Sequence, residues 1–416
     1  MIALLFGVGA FAAGEPYGEA FAREGESWAE GETPALLPPP PDAAEAPTDA
    51  TLGALQARLE ALEAAGGPYA GGLDEPLAAL GRALAARGRY GEAVAAYRRA
   101  LHVLRVNDGL YGEAQKPLLA ALLSLYRAAG DYATLDEQYP WFFRVYGNGQ
   151  PPLTGLRLEA ALAYQRWQRE ALRRNLGDGS RRLLALLDLG EALLERVEAE
   201  PGASWGARRD LALAQLANLY LVAERVAPPP EDYPGLRTVD PYRRNDLFSG
   251  DPQQDRLQAV RRTAEAEGRR LLEDVAAAAP DAVARAGVLV ALGDWQQWHG
   301  RERAAREAWQ GARDALVKAG EAARVEALFG SPRELPDNGV FWQPPAPDPD
   351  SPRSLVEARF EVDALGRARA VEARTVAGRE SAYIGVVRAL RRLRFRPRFE
   401  GGEPVATSVQ RRYEVY

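Results

Sequence analysis

The chain has 416 residues and a mass of 45.2 kDa, enough for two or three domains. Its net charge of −6 and pI near 5.4 exclude a protein that is basic overall and built to hold nucleic acid. Cysteine is absent, which excludes disulfides, thiolate metal sites, a cysteine nucleophile and a lipidated N-terminal cysteine.

Residues 2–13 form an apolar run that ends in Ala10-Phe11-Ala12, a small-x-small cleavage pattern. The run is too short to span a bilayer and has no basic segment before it. It is expected to be a signal peptide over residues 1–13 whose start is truncated or misassigned, which places the mature protein in the periplasm. If the true start lies upstream, an inner-membrane anchor is the alternative. Residues 14–50 are rich in Glu, Pro and Ala and include Pro38 to Pro41. Such a composition buries too little apolar surface to order itself, so a disordered linker is expected.

Residues 51–330 read as helices with an internal repeat. Leu77, Leu80, Gly81, Leu84, Gly88, Tyr90, Ala93, Tyr97 and Ala100 fit the tetratricopeptide pattern. A second copy lies 42 residues on, with Leu119, Leu122, Tyr126, Gly130, Tyr132, Leu135, Tyr139 and Phe142. The third is Leu289, Leu292, Gly293, Gly300, Ala305, Trp309 and Ala312. Three amphipathic helices are expected between Leu153 and Val226, a loop over residues 228–254, and a helix over residues 256–279. Each helix pair has an apolar face that it buries only by stacking on neighbours, so the expected product is an α-solenoid. Gly81 and Gly293 are expected to let paired helices approach closely. Counted from Leu289, Asp294, Gln297 and Trp298 fall on the concave side of such repeats; Arg82, Ser124 and Arg127 are the equivalents in the first two copies. These residues are either a peptide-binding groove or ordinary helix surface.

No catalytic constellation stands out, and the chain is expected not to be an enzyme. The only histidines, His102 and His299, have no ligand-spaced partners, and no phosphate loop, HExxH or G-x-S-x-G motif occurs. No metal or cofactor is expected. Residues 331–353, with Pro344, Pro345, Pro347 and Pro349, are expected to form a stiff linker.

Residues 354–416 carry 13 arginines against 8 acidic residues, a net +5, so the remainder of the chain is −11. Val356, Ala358, Phe360 and Val362 alternate with polar residues as a strand does. A turn at Gly366, a second strand, a helix carrying Val386, Val387 and Leu390, and a last alternating strand from Val405 follow. The order is strand, strand, helix, strand. With Phe360-Glu-Val362-Asp363, Gly366, Arg394-Phe395-Arg396-Pro397 and Gly402-Glu403-Pro404-Val405, it resembles the C-terminal domain of the TonB energy-transducer family. The expected fold is therefore mostly α: a tetratricopeptide-like solenoid followed by a small α+β domain.

That resemblance implies that an extended segment of an envelope protein, such as an outer-membrane receptor, is taken by strand addition on the last strand. The residues concerned are Val409, Gln410, Arg411, Arg412, Tyr413 and Glu414, on a strand expected at the border of the sheet. The run Arg388, Arg391, Arg392, Arg394, Arg396 and Arg398 is either a solvated helix face or a contact for peptidoglycan or anionic glycan. The alternative function is an envelope assembly scaffold without energy transduction, since no membrane anchor is seen in the sequence.

Overall fold

The computed structural model describes residues 21–23, 47–226, 252–341 and 353–415. Among them the chain is mostly helical, with 13 helices and a small antiparallel sheet near the C-terminus. The candidate signal segment and residues 228–251 of the expected loop lie outside the described residues. The chain divides into two compact units. One comprises Glu32–Gly177 and Glu191–Ala207; the other comprises Met1–Gly31, Asp178–Gly190 and Arg208–Tyr416.

The first unit holds α1 (Asp49–Gly66), α2 (Asp74–Ala86), α3 (Tyr90–Asp108), α4 (Gln115–Ala128), α5 (Tyr132–Val145) and α6 (Gly155–Arg173). Each packs on the next in sequence. The Gly-x-Tyr landmarks are helix stops. At the end of α2, Gly88 takes φ +71°, its N–H donates to the Ala85 carbonyl, and the Arg89 N–H donates to the Leu84 carbonyl. That pair of bonds satisfies carbonyls a helix end leaves orphaned, at a left-handed residue that favours glycine. Gly130 ends α4 the same way, at φ +70°, with bonds to Arg127 and Tyr126. Between α2 and α3 the close approach is made by Gly81. A methyl group there would lie 2.6 Å from the Tyr97 ring. Leu77, Leu84, Ala93, Tyr97, Leu101, Leu119 and Leu123 are buried around this contact.

Helices α7 (Gly179–Ala199) and α8 (Trp205–Arg225) have residues in both units. The second unit also holds α9 (Pro252–Ala277), α10 (Ala282–Trp298), α11 (Glu302–Lys318) and α12 (Ala322–Phe329). Here a methyl on Gly293 would fall 2.3 Å from the Trp309 indole nitrogen, so α10 and α11 meet as α2 and α3 do. The remaining elements are β1 (Phe21–Arg23), β2 (Arg333–Glu334), β3 (Ser354–Val362), β4 (Ala368–Ala377), α13 (Ala382–Arg392), β5 (Phe395–Arg396), β6 (Arg398–Glu400), β7 (Glu403–Val405) and β8 (Thr407–Val415).

The sheet order is β1-β8-β3-β4, all antiparallel. Val356, Ala358, Phe360 and Val362 of β3 pack with Val409 and Tyr413 of β8 against Val386, Ala389 and Leu390 of α13. Two short pairs, β2 with β5 and β6 with β7, flank this sheet.

Three expectations change. The stretch expected as a disordered linker contains β1, because Phe21–Arg23 pairs with the edge of β8 and buries the Phe21 ring. The last strand is not a simple border: β8 lies inside the sheet, with β3 along its whole length and β1 over Tyr413–Val415. The expected linker over residues 331–353 is packed at its start. Arg333–Glu334 forms β2, and Leu335, Val340 and Phe341 are fully buried. Residues 342–352, with the proline cluster, lie outside the described residues.

Candidate functional site

Two of the groove residues come together in the first unit. Arg82 on α2 and Ser124 on α4 line a cavity of about 420 Å³. Its walls are Ala78, Tyr97, Leu118 and Ala121. Small alanines where large side chains would otherwise meet leave this room. Arg82 is exposed at the rim with Glu75, while Tyr97 is 4% exposed and burial pushes its phenol up. The result is an apolar hollow with a few polar groups at its mouth, which is the usual form of a binding pocket. Arg127 is not part of it. Its guanidinium meets Glu170 at 2.8 Å and lies over the Trp167 ring.

The groove residues of α10 have a different fate. Asp294 and Gln297 are buried under the C-terminal strands of the same unit. Arg396 of β5 is 1% exposed and donates from Nη1 to both Asp294 oxygens, at 3.2 and 3.0 Å, and from Nη2 to Asp337 at 3.1 Å. The Trp309 indole also donates to Asp294, at 3.1 Å. Burial nevertheless raises the Asp294 carboxyl to about 6, against the pull of Arg396. The Gln297 amide donates to the Leu365 carbonyl at 2.7 Å and to the Phe395 carbonyl at 3.3 Å. A methyl on Gly366, whose φ is +71°, would lie 2.0 Å from that same Phe395 carbonyl, so only glycine fits the turn. Trp298 packs its ring on Phe341 and Tyr220. A concave face expected to take a partner is therefore occupied by the chain's own C-terminal strands and by Phe341. Arg396, read in sequence as one of a basic run, belongs to this lock.

The β8 residues divide by face. Val409 and Tyr413 point into the core. Arg411 leaves that face to pair with Glu334 and to donate to the Pro332 carbonyl at 2.8 Å. The Tyr413 hydroxyl donates to the same Glu334 oxygen at 2.7 Å. On the other face Gln410 donates to Glu357 at 3.1 Å, Arg412 is exposed, and Glu414 accepts from Arg353 at 2.8 Å. Glu357 also accepts from Arg374 of β4, which holds its carboxyl below the usual range. Beyond β1, residues 407–412 of β8 pair with no strand on their outer edge among the described residues.

Sequence reasoning missed Phe21 and Glu334. Phe21 is 2% exposed and sets its ring edge-on to Tyr413 at 5.3 Å. Glu334 is 3% exposed and gathers Arg411, Tyr413 and Arg23 around one carboxylate. The alternation in β8 pointed to an edge, but nothing local in a three-residue Phe-Ala-Arg segment marks it as that edge's partner. A comparison with protein-family models finds no match for the chain, and neither does a comparison with curated proteins.

Proposed function

We propose that the chain is a protein–protein interaction module of the Gram-negative envelope, in which a tetratricopeptide-like helical scaffold carries a TonB-like C-terminal domain. It takes an extended segment of an envelope protein by strand addition on β8. One observation carries the reading. The outer edge of β8 already accepts an added strand, β1, over Tyr413–Val415, and no second strand among the described residues pairs along that edge. Backbone N–H and C=O groups on such an edge bind another strand with little dependence on its sequence. The ion pairs of Glu357 with Arg374 and of Glu414 with Arg353 keep the neighbouring face polar.

A second, separate binding position is favoured by the cavity beside Arg82 and Ser124, whose volume suits one or two apolar side chains of an extended segment. No helix among the described residues is long and apolar enough to cross a membrane. The reading therefore rests on the interaction surfaces and not on a membrane-driven motion.

The test is an array of extended periplasmic segments from outer-membrane proteins, probed with the full chain. Gln410→Pro and Arg411→Pro, made singly, remove N–H groups that point to opposite edges of β8. Whichever faces outward should abolish binding, with the helical circular dichroism retained, and alanine at the same position should do far less. Ala121→Trp fills the cavity and should weaken those segments that also use it. Binding that survives all three changes, or no binding to any segment, overturns the proposal.

A further inference from the structure

Helix α13 has two faces, and the fold uses only one of them. Val386, Ala389 and Leu390 are buried against the sheet. At about 100° per residue, Ile384 falls almost directly opposite them. It is 46% exposed, and Tyr383 beside it is 38% exposed. One turn on come half-buried Val387 and exposed Arg388, followed by Arg391 and Arg392, both exposed. These six side chains border one shallow depression, and all six belong to the same helix. Packing on the sheet gives no reason for an isoleucine at the outermost position. The arginines are not balanced either. The helix contains no acidic residue, and Arg379 and Glu380 just before it offset one another. Arg388, Arg391 and Arg392 form no ion pair among the described residues. By contrast, Arg367, Arg369, Arg374, Arg396 and Arg411 each meet a carboxylate. A cation in the last turn eases the helix dipole, but that accounts neither for Arg388, a turn earlier, nor for Ile384.

We infer that the outward face of α13 docks on an anionic lipid bilayer. Tyr383 and Ile384 enter the boundary between headgroups and acyl chains, and Arg388, Arg391 and Arg392 meet the lipid phosphates. Charge and shape carry this. Residues 354–416 are +5 and the remainder of the chain is −11, so a negative surface attracts this end and repels the rest. An acidic peptide would need a groove, and a groove needs a second wall. Here one convex helix supplies every bordering side chain. A bilayer surface conforms to such a ridge. The mixture of aliphatic, tyrosine and arginine side chains on it is that of helices lying in the membrane interface. The surface lies on the side of α13 away from the sheet, and the inference does not depend on strand addition at β8.

The experiment mixes the full chain with large phosphatidylcholine vesicles, with or without phosphatidylglycerol at about one lipid in three, and measures co-sedimentation. The chain should partition onto the anionic vesicles at least tenfold more strongly than onto the neutral ones, and added salt should weaken it. Each arginine near such a surface contributes roughly a factor of five, so Arg388→Gln, Arg391→Gln and Arg392→Gln together should reduce partition at least tenfold. Ile384→Asp should reduce it by a similar factor. All four positions are exposed, and hydrogen exchange in β3 reports that the sheet persists in each variant. Because the chain has no cysteine, Ile384→Cys carries a single environment-sensitive fluorophore, whose emission should shift to the blue on anionic vesicles only. No partition, equal partition onto both kinds of vesicle, partition retained by the triple variant, or a label that stays in water on bound vesicles overturns the inference. So does binding to soluble polyglutamate that is as tight as to anionic vesicles and indifferent to Ile384→Asp, since the partner is then an acidic peptide. A dimer formed without lipid and abolished by Ile384→Asp overturns it as well, since the face is then covered by a second copy.

Discussion

Replacing Arg396 by methionine should cost the second unit more than any other single change in its C-terminal strands. The guanidinium is 2% exposed as a side chain and bridges two carboxylates, Asp294 and Asp337. Removing one member of a buried pair leaves the other charge desolvated, a loss of about 3–5 kcal/mol. The loss should also depend on pH in a defined direction. Asp294 is already raised from 3.8 to about 6 with Arg396 in place, so keeping it charged in the folded state costs about 3 kcal/mol at pH 7. For an acid raised on folding, stability is greatest when the group is protonated and falls as pH rises through the folded value. Without Arg396 that value moves higher, so the deficit should be larger at pH 8 than at pH 5. Hydrogen exchange of α10 and β5 at the two pH values measures it locally, which suits a chain of two units better than one global melting curve. Asp294→Asn on top of Arg396→Met should recover part of the loss at pH 8. A deficit below about 1 kcal/mol, or one that shrinks at pH 8, would refute the reasoning.

Gly293→Ala should destabilise α10 by about 1–3 kcal/mol, because its methyl would fall 2.3 Å from the Trp309 nitrogen and disturb the bond to Asp294. Gly287→Ala in the same helix meets nothing within 4 Å and should instead stabilise by up to about 1 kcal/mol; urea denaturation of both tests the contrast. Burial pushes the His299 imidazole down to about 4, and a nuclear magnetic resonance titration should find its midpoint there. Its contribution is present above about pH 6.5 and lost as pH falls toward 4, an upper figure of about 3 kcal/mol that His299→Phe should remove from the acid limb of the stability curve. Tyr97→Ala should cost roughly 3–5 kcal/mol and open the cavity beside Arg82, with hydrogen-exchange protection lost first in α2 and α3.

The helix pairs were legible because their landmarks are themselves structural devices. A glycine two residues before a tyrosine is a left-handed stop, and Gly81 and Gly293 are gaps cut for Tyr97 and Trp309. The alternation in β3 and β8 was equally plain, since one face had to be apolar. Leu80, one of the repeat-pattern positions, is only partly buried, while Tyr97 lies fully within the core. What stayed hidden depended on partners distant in the chain. Asp294 and Arg396 are 102 residues apart, and no periodicity links a groove position on one helix with an arginine in a basic run. Arg82 and Ser124 could be named as facing one hollow, but whether a concave position is open or filled depends on what packs there. β1 was invisible for a simpler reason: three residues inside a Pro- and Glu-rich stretch do not alter its average composition.

The sheet order also has a consequence for biosynthesis. Among the described elements β1 is made first, and β8, the strand it docks on, is made last. Phe21 therefore has no native site until β8 has been made, and the contacts among the helices can form before then. Pairing β1 with β8 closes the chain between them into a loop, a step whose entropic cost rises only as the logarithm of its length but whose timing is fixed by synthesis. The arrival of β1 on the sheet thus marks a chain in which β8 has been made, and a chain cut short anywhere before β8 would leave Phe21 with nowhere to dock.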